Sequence, residues 1–294
     1  MAGKNKNKAG VGQYFLYAGV TTFAFVTVMI IPFLYGIFLT FTNWNGLASE
    51  WDFIGITNYL GVFKDKAFWE SMAITVKYVL FVVIFTNLIA FFLAFILTSG
   101  IKFENVYRSG FFTPNLLGGI ILGFVWRFLF SNVFVYFGNQ LGIDMFSSSW
   151  LGDPNKAFWT MVIVTVWQLS GYLMIIYIAG FTNIPKSVVE AAKIDGATGL
   201  RRIIHIIIPL IVNAFTISVF LSLQRAFMVY DLNLALTDGG PFNSTRMVSM
   251  YVYNKAFLAQ NYGLGQAEAI VLFIVVAIIT TVQVKYSKSK EVEA

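Results

Sequence analysis

The residue types that do covalent chemistry are nearly missing from this chain. It has no Cys and one His, His205, so thiol nucleophiles, disulfides and a multi-histidine metal site within the chain are excluded. It has no Gly-x-x-x-x-Gly-Lys-Ser/Thr and no Gly-x-Gly-x-x-Gly after a strand pattern, so nucleotide phosphates find no cradle of those kinds. Paired carboxylates at helical spacing are absent from its apolar segments, where Glu268 is the one acid. What remains is amides, hydroxyls and rings on apolar segments. Thr165, Gln168 and Tyr172 stand at i, i+3 and i+7, one face of a helix. Asn213, Thr216, Phe220 and Gln224 form a second stripe, and Asn87 stands alone. Amides hydrogen-bond hydroxyls and ring faces cover the apolar side of a pyranose, so this chemistry is non-covalent recognition of a sugar-like solute. The same residue types also glue membrane helices together, at about 0.6–2 kcal/mol each. Spacing does not separate the two roles.

The elements that position these residues follow from composition. The chain of 294 residues is 58% hydrophobic and 12% charged, against about 45–50% and about 25% in soluble domains. Such a chain has too few charges to cover a soluble surface, and an all-α membrane protein is expected. The short alternating segments of a barrel are not seen. Six apolar segments are long enough to span: about 14–40 with a kink at Pro32, 78–97, 110–130 interrupted by Pro114, Gly118 and Gly119, 158–180, 206–227 with Pro209 near its start, and 267–284. The Lys-bearing start, Lys4, Lys6 and Lys8, precedes a run too long for a signal peptide. Thr40 to Asn45 offers no small-residue cleavage site, so the first span is expected to be retained.

Basic residues set orientation. With the N-terminus in the cytoplasm, the inner segments hold 12 of the 20 Lys and Arg and 5 of the 14 acids, a net +7 against −1 elsewhere. Both termini are therefore expected in the cytoplasm. Residues 1–13 and 287–294 form tails, and 14–286 is one membrane domain. The net charge of +6 is scattered at segment ends and does not indicate nucleic acid. Among the outer loops, Phe53 to Leu60 reads as an interfacial helix with Trp44, Trp51 and Trp69 at headgroup level. Residues 131–156 read as a Gly- and Ser-punctuated loop, and 244–258 as a weakly amphipathic stretch. Arg127 and Arg225 are expected near outer span ends, snorkelling, with Glu268 able to pair with either. His205 is expected to be structural.

One polar island interrupts this pattern. Glu190 to Gly199 runs through Arg201 and Arg202 to Ile208-Pro209. Pro185 opens it, Ser187 is a candidate N-cap, and Gly196 and Gly199 can end a helix or admit another backbone. The loop, about 181–209, is long for a connection. Its Ala, Ile and Val need a cover, either a lipid surface or a protein partner.

Glu190-Ala191-Ala192, Gly196 and Ile208-Pro209 resemble the EAA loop of permease subunits of bacterial ABC importers. Further stretches resemble the carbohydrate branch: Phe53-Ile-Gly-Ile-Thr-Asn-Tyr59, Phe111-Phe-Thr-Pro114 with Val125-Trp-Arg127, Ile184-Pro185, and Leu236-Thr-Asp-Gly-Gly-Pro241 followed by Ser244-Thr245. Tyr230-Asp231 and Gln224-Arg225 depart from the family's usual residues. The resemblance implies the type I importer permease fold, with six spans and a cytoplasmic coupling helix, in the bacterial cytoplasmic membrane. In it Glu190, Ala191, Ala192, Asp195 and Gly196 dock an ATPase subunit, Glu190 against a basic residue. It implies a non-catalytic sugar permease with no cofactor of its own, since ATP and Mg are bound by the partner ATPase. The implied partners are a second related permease, two ATPase subunits and an extracytoplasmic sugar-binding protein, which Gly239, Gly240 and Pro241 are candidates to touch. Two other readings stay open at this point. One is the same fold carrying a glycerol phosphate or another polyol. The other is a secondary transporter working alone, which would call for acidic coupling residues or an inverted repeat.

Overall fold

The structure, a computed structural model, describes residues 12, 15, 17–194 and 199–290. In chain order its helices are α1 (Gly19–Leu39), α2 (Thr57–Lys64), α3 (Lys66–Leu97), α4 (Glu104–Phe112), α5 (Gly119–Leu141), α6 (Pro154–Thr182), α7 (Lys186–Ile194), α8 (Ile203–Leu210), α9 (Val212–Phe227), α10 (Asp231–Leu236), α11 (Val248–Tyr253) and α12 (Tyr262–Lys288). Among the described residues the only β pairing is an isolated bridge between Thr42 and Phe53. Five helices (α1, α3, α5, α6 and α12) are long and apolar enough to cross a membrane, and the bent pair α8–α9 makes a sixth. The surface is apolar, with Val20, Phe23, Leu116 and Ile121 all exposed, while Thr75, Thr86, Asn87, Thr160, Thr165 and Ser222 are buried. That inverted arrangement suits lipid as the solvent.

The chain packs as two compact units. The first comprises residues up to Asp65 together with Val252–Val271. Here the Asn58 amide donates to the carbonyls of Thr40 and Thr42, both at 2.8 Å. Gly263 packs on the Thr42 carbonyl, where a Cβ would sit 2.3 Å from the oxygen. The second comprises Lys66–Tyr251 and the chain from Leu272. Its core joins Phe91, Leu173, Met174, Tyr177, Ile211 and Ala214. Two glycines of α6 allow the close approaches: Gly171 lies against the Phe111 carbonyl and Gly180 against Ala214.

Several boundaries differ from the sequence expectation. The second span begins at Lys66 instead of Tyr78, because helix geometry continues through Glu70 and Lys77 where apolarity does not. Helix α5 runs on to Leu141 through a π turn at Leu129–Val133, so the expected loop from Ser131 is helical for its first residues. The first span is irregular just before Pro32, with a π turn at Val26–Ile30. Helix α2 starts at Thr57, and Phe53 pairs with Thr42 instead of joining it. Regular helix in the 244–258 stretch starts only at Val248. Helix α7 begins at Lys186, which puts Ser187 inside its first turn and not at the cap.

Candidate functional site: a polar cleft between two broken helices

Helix α6 is the ruler against which the second unit is read. Asp153 caps it, accepting from the Lys156 amide at 2.9 Å, and Pro154 occupies the first turn, where its missing N–H costs nothing. Two contacts fix the third segment against it and one against the turn just ahead of it. The Phe111 carbonyl meets Gly171 and the Leu117 carbonyl accepts from Gln168 Nε2 at 3.0 Å, while the Phe130 ring meets Trp150, in the Trp150–Gly152 turn, at 5.4 Å. The segment thus runs antiparallel to α6, and its helix is interrupted near the middle. Helix α4 ends at Phe112, a 3-10 turn covers Thr113–Leu116, and α5 starts at Gly119. Pro114 and the two glycines supply the break. At the α5 start, Gly119 and Gly123 let α10 approach: a Cβ on either would lie 2.9 Å from the Asp231 Cβ or 2.5 Å from the Ala235 Cβ.

The fifth segment is broken twice. Between α8 and α9 the axis turns by 71° at Ile211, two residues after Pro209. Helix α9 then stops at Phe227, and α10 takes over at Asp231. This second break falls beside the first. Between them lies a cleft of about 420 Å³, lined by Asn115, Thr165, Gln168, Arg225, Tyr230 and Asp231 among others. Its polar groups are of several kinds. Asn115 Oδ1 is buried and has no hydrogen-bond partner among the described residues. Arg225 lies over the Tyr172 ring at 6.0 Å, a cation–π contact. Thr165 is held by the Tyr78 hydroxyl at 2.6 Å. Arg225 and Asp231 give the cleft one charge of each sign.

The expected path residues divide accordingly. Gln168 lines the cleft and Tyr172 supports Arg225 from beside it. Asn213, Phe220 and Gln224 are exposed along α9. Thr216 bonds back to the Val212 carbonyl at 2.9 Å, and Asn87 bridges Tyr177 and Ser222 at 2.8 and 3.0 Å. Asn115 and Asp231 are lining residues that the stripe pattern missed, because both sit at breaks where no helical period applies. Arg225, in the last turn of α9, also lines the cleft. The expected pairing of Glu268 with Arg127 or Arg225 is not found: Glu268 is fully buried, and neither carboxyl oxygen has a hydrogen-bond partner among the described residues. His205 Nδ1 lies 3.1 Å from the Arg201 carbonyl within its own helical run.

Helix α7 carries the Glu-Ala-Ala sequence. Glu190 and Ala191 are exposed, Ala192 is buried, and Ile194 is 87% exposed. Asp195 and Gly196 lie outside the described residues. Gly199, at φ +53, starts the turn that leads into α8, a backbone conformation that favours glycine. The second candidate contact, the turn of Gly239, Gly240 and Pro241, is tied down by its own side chains. Thr245 donates to the Gly240 carbonyl at 2.8 Å, and Asn233 donates to the Thr245 carbonyl at 2.9 Å. The turn presents Phe242, 91% exposed, which falls within the Thr237 to Asn243 turn expected as the contact.

Comparison with known proteins fixes the class. Residues 1–290 match the family described as binding-protein-dependent transport system inner membrane component. The chain belongs to that family, whose members are the non-catalytic membrane subunits of ABC transporters. It is 40% identical over 280 residues to the probable starch degradation products transport system permease protein AmyD of Thermoanaerobacterium thermosulfurigenes, covering 95% of each chain. It is 32% identical to the multiple sugar-binding transport system permease protein MsmF of Streptococcus mutans, over 91% of this chain and 92% of the relative. In fold it matches a chain of a bacterial ABC transporter that imports the acidic polysaccharide alginate, with TM-score 0.80 at 19% identity, covering 96% of this chain and 98% of that one. It is a multi-pass protein of the bacterial inner membrane.

Proposed function

We propose that this chain forms half of the translocation pore of an ATP-driven oligosaccharide importer, with the cleft between the broken helices as its solute contact. The observation that carries this is the cleft itself, a set of amide, guanidinium, carboxylate and ring groups inside an otherwise apolar bundle. The similarity to permeases of starch degradation products and multiple sugar-binding transport systems supports a carbohydrate cargo. Opposite charges on Arg225 and Asp231 suit a neutral, hydroxyl-rich solute better than a phosphate ester.

The remaining parts follow from the same reading. Both termini face the cytoplasm, as the charge asymmetry requires. Helix α7 docks a cytoplasmic ATPase subunit through Glu190, Ala191 and Ala192, with Asp195 and Gly196 following them. The bent α8–α9 pair passes its motion into the bundle as a rigid-body change. A second related permease faces the exposed Asn213, Phe220 and Gln224, two ATPase subunits bind ATP and Mg, and this chain binds neither. An extracytoplasmic sugar-binding protein meets the turn from Gly239 to Phe242.

The test is uptake in liposomes by the complete transporter with its binding protein. Arg225→Ala lowers oligosaccharide uptake while the complex still assembles. Glu190→Ala lowers solute-stimulated ATP hydrolysis by about tenfold or more, the scale of truncating one partner of a buried charge pair. Unchanged uptake in the first variant overturns the cleft assignment, and unchanged stimulation in the second overturns the docking role.

A further inference from the structure

The first unit gathers three charged groups that transport through the cleft does not use. Asp65 directly follows α2 as its C-cap. Lys255 sits in the π turn Asn254–Leu258, which separates α11 from α12. Glu268 lies on α12. Their elements are in close contact. Gly265 abuts Ala256, where a Cβ would stand 2.7 Å from the alanine Cβ, and a Cβ on Gly61 would stand 3.1 Å from Leu264 Cδ1. Lys255 is the neighbour of Ala256, Glu268 is one helical turn beyond Gly265, and Asp65 is one turn beyond Gly61. Among the described residues, Lys255 and Asp65 lie near enough to act on Glu268 electrostatically.

One cation is therefore set among two acids. Its ammonium stands on Asp65 at 2.9 Å, with side-chain exposures of 23% and 16%. Glu268 is 0% exposed, and both its carboxyl oxygens lack a hydrogen-bond partner among the described residues. A buried ionisable group inside a membrane span carries a function far more often than chance, and an orphaned buried polar group calls for a physical reason. A π turn provides one, since it is an irregular segment that can shift its register. We propose that Lys255 is a two-position latch, held by Asp65 in the present arrangement and by Glu268 in the alternate conformation of the transport cycle. The long flexible stem of lysine reaches two acceptors in turn, which the fixed fork of arginine would do less well.

The two positions differ in exposure, and that difference is measurable. The full transporter complex in lipid nanodiscs is treated with an amine-acetylating reagent, nucleotide-free and after trapping with ATP and vanadate, and modification of Lys255 is read by peptide mass spectrometry. Wild-type Lys255 is modified faster in one state than in the other. Glu268→Gln abolishes the difference and leaves Lys255 at the faster level in both states. Asp65→Asn also abolishes it but leaves Lys255 at the slower level. A merely structural ion pair would not send the two variants to opposite levels. Glu268→Asp, which keeps the carboxylate, retains the difference. Equal wild-type modification in the two states overturns the latch, and so does a wild-type difference that persists in Glu268→Gln. Should Glu268→Gln fail to assemble, Asp65→Asn decides alone: the slower level in both states supports the latch, and any other pattern overturns it.

Discussion

Helices α1 and α6 are similar by hydropathy and opposite in circumstance. Both are apolar enough to cross a membrane, yet 11% of the apolar stretch of the first and 67% of that of the second is buried within this chain. The difference lies in what interrupts their apolar surface. Helix α6 carries small and polar residues on several faces: Thr165 bonds Tyr78, Tyr177 bonds Asn87, and Gly171 and Gly180 admit neighbouring backbone and side chains. The α1 stretch Gly19–Ile30 has no buried residue, and the side-chain bonds of its Thr27 go to its own helix, at Phe23 and Ala24. Between apolar helices in lipid there is little hydrophobic drive to associate, so close backbone approach and hydrogen bonds decide which spans become core.

The largest test of this contrast is steric. Gly171→Leu places a side chain where a Cβ would already lie 1.7 Å from the Phe111 carbonyl oxygen. The relevant neighbour is backbone, which cannot yield cheaply, so the loss is expected at about 3 kcal/mol or more. Thermal unfolding in detergent and the yield of assembled complex report it. Gly19→Leu on α1, where the nearest atom is 3.5 Å away on the Phe15 ring, leaves both near wild type. Comparable damage from the two substitutions would break the comparison.

A smaller effect separates glue from recognition on α6 itself. Gln168→Ala removes a group that bonds the Leu117 carbonyl at the cleft. Uptake by the reconstituted transporter falls about tenfold, the scale of one polar contact to solute, with the unfolding midpoint little changed. Smallest is Asn87→Leu, which strips the bridge between Tyr177 and Ser222. It lowers stability by about 0.6–1.7 kcal/mol and leaves the solute concentration for half-maximal uptake unaltered. A shift in that concentration would move Asn87 from packing to recognition.

Much of this was legible in the residues. Five of the six apolar runs hold a helix long enough to span and the other is the bent α8–α9 pair, while Pro114 with Gly118 and Gly119 marked the break in the third. The break after Phe227 was not legible: Met228-Val229-Tyr230 contains neither Gly nor Pro, and apolarity continues across it. For that reason neither the cleft at the end of α9 nor the place of Asp231 in it shows in the sequence. The stripe Asn213, Thr216, Phe220 and Gln224 is real as a helical face, but the cleft opens at the end of that helix and not along it.

The sequence by itself determined the class of solvent and the number of crossings, because these depend on summed apolarity over about 20 residues. It also carried the Glu-Ala-Ala island, since a polar stretch between apolar spans stands out without any partner. Only the tertiary structure decided which polar groups share a cleft and which acid is buried with no hydrogen-bond partner among the described residues. Asn115, Gln168, Arg225 and Asp231 come from four separate elements, as do the latch residues Asp65, Lys255 and Glu268 from three. Their proximity depends on helix breaks and on glycine contacts between elements far apart in the chain, and neither leaves a periodic signal.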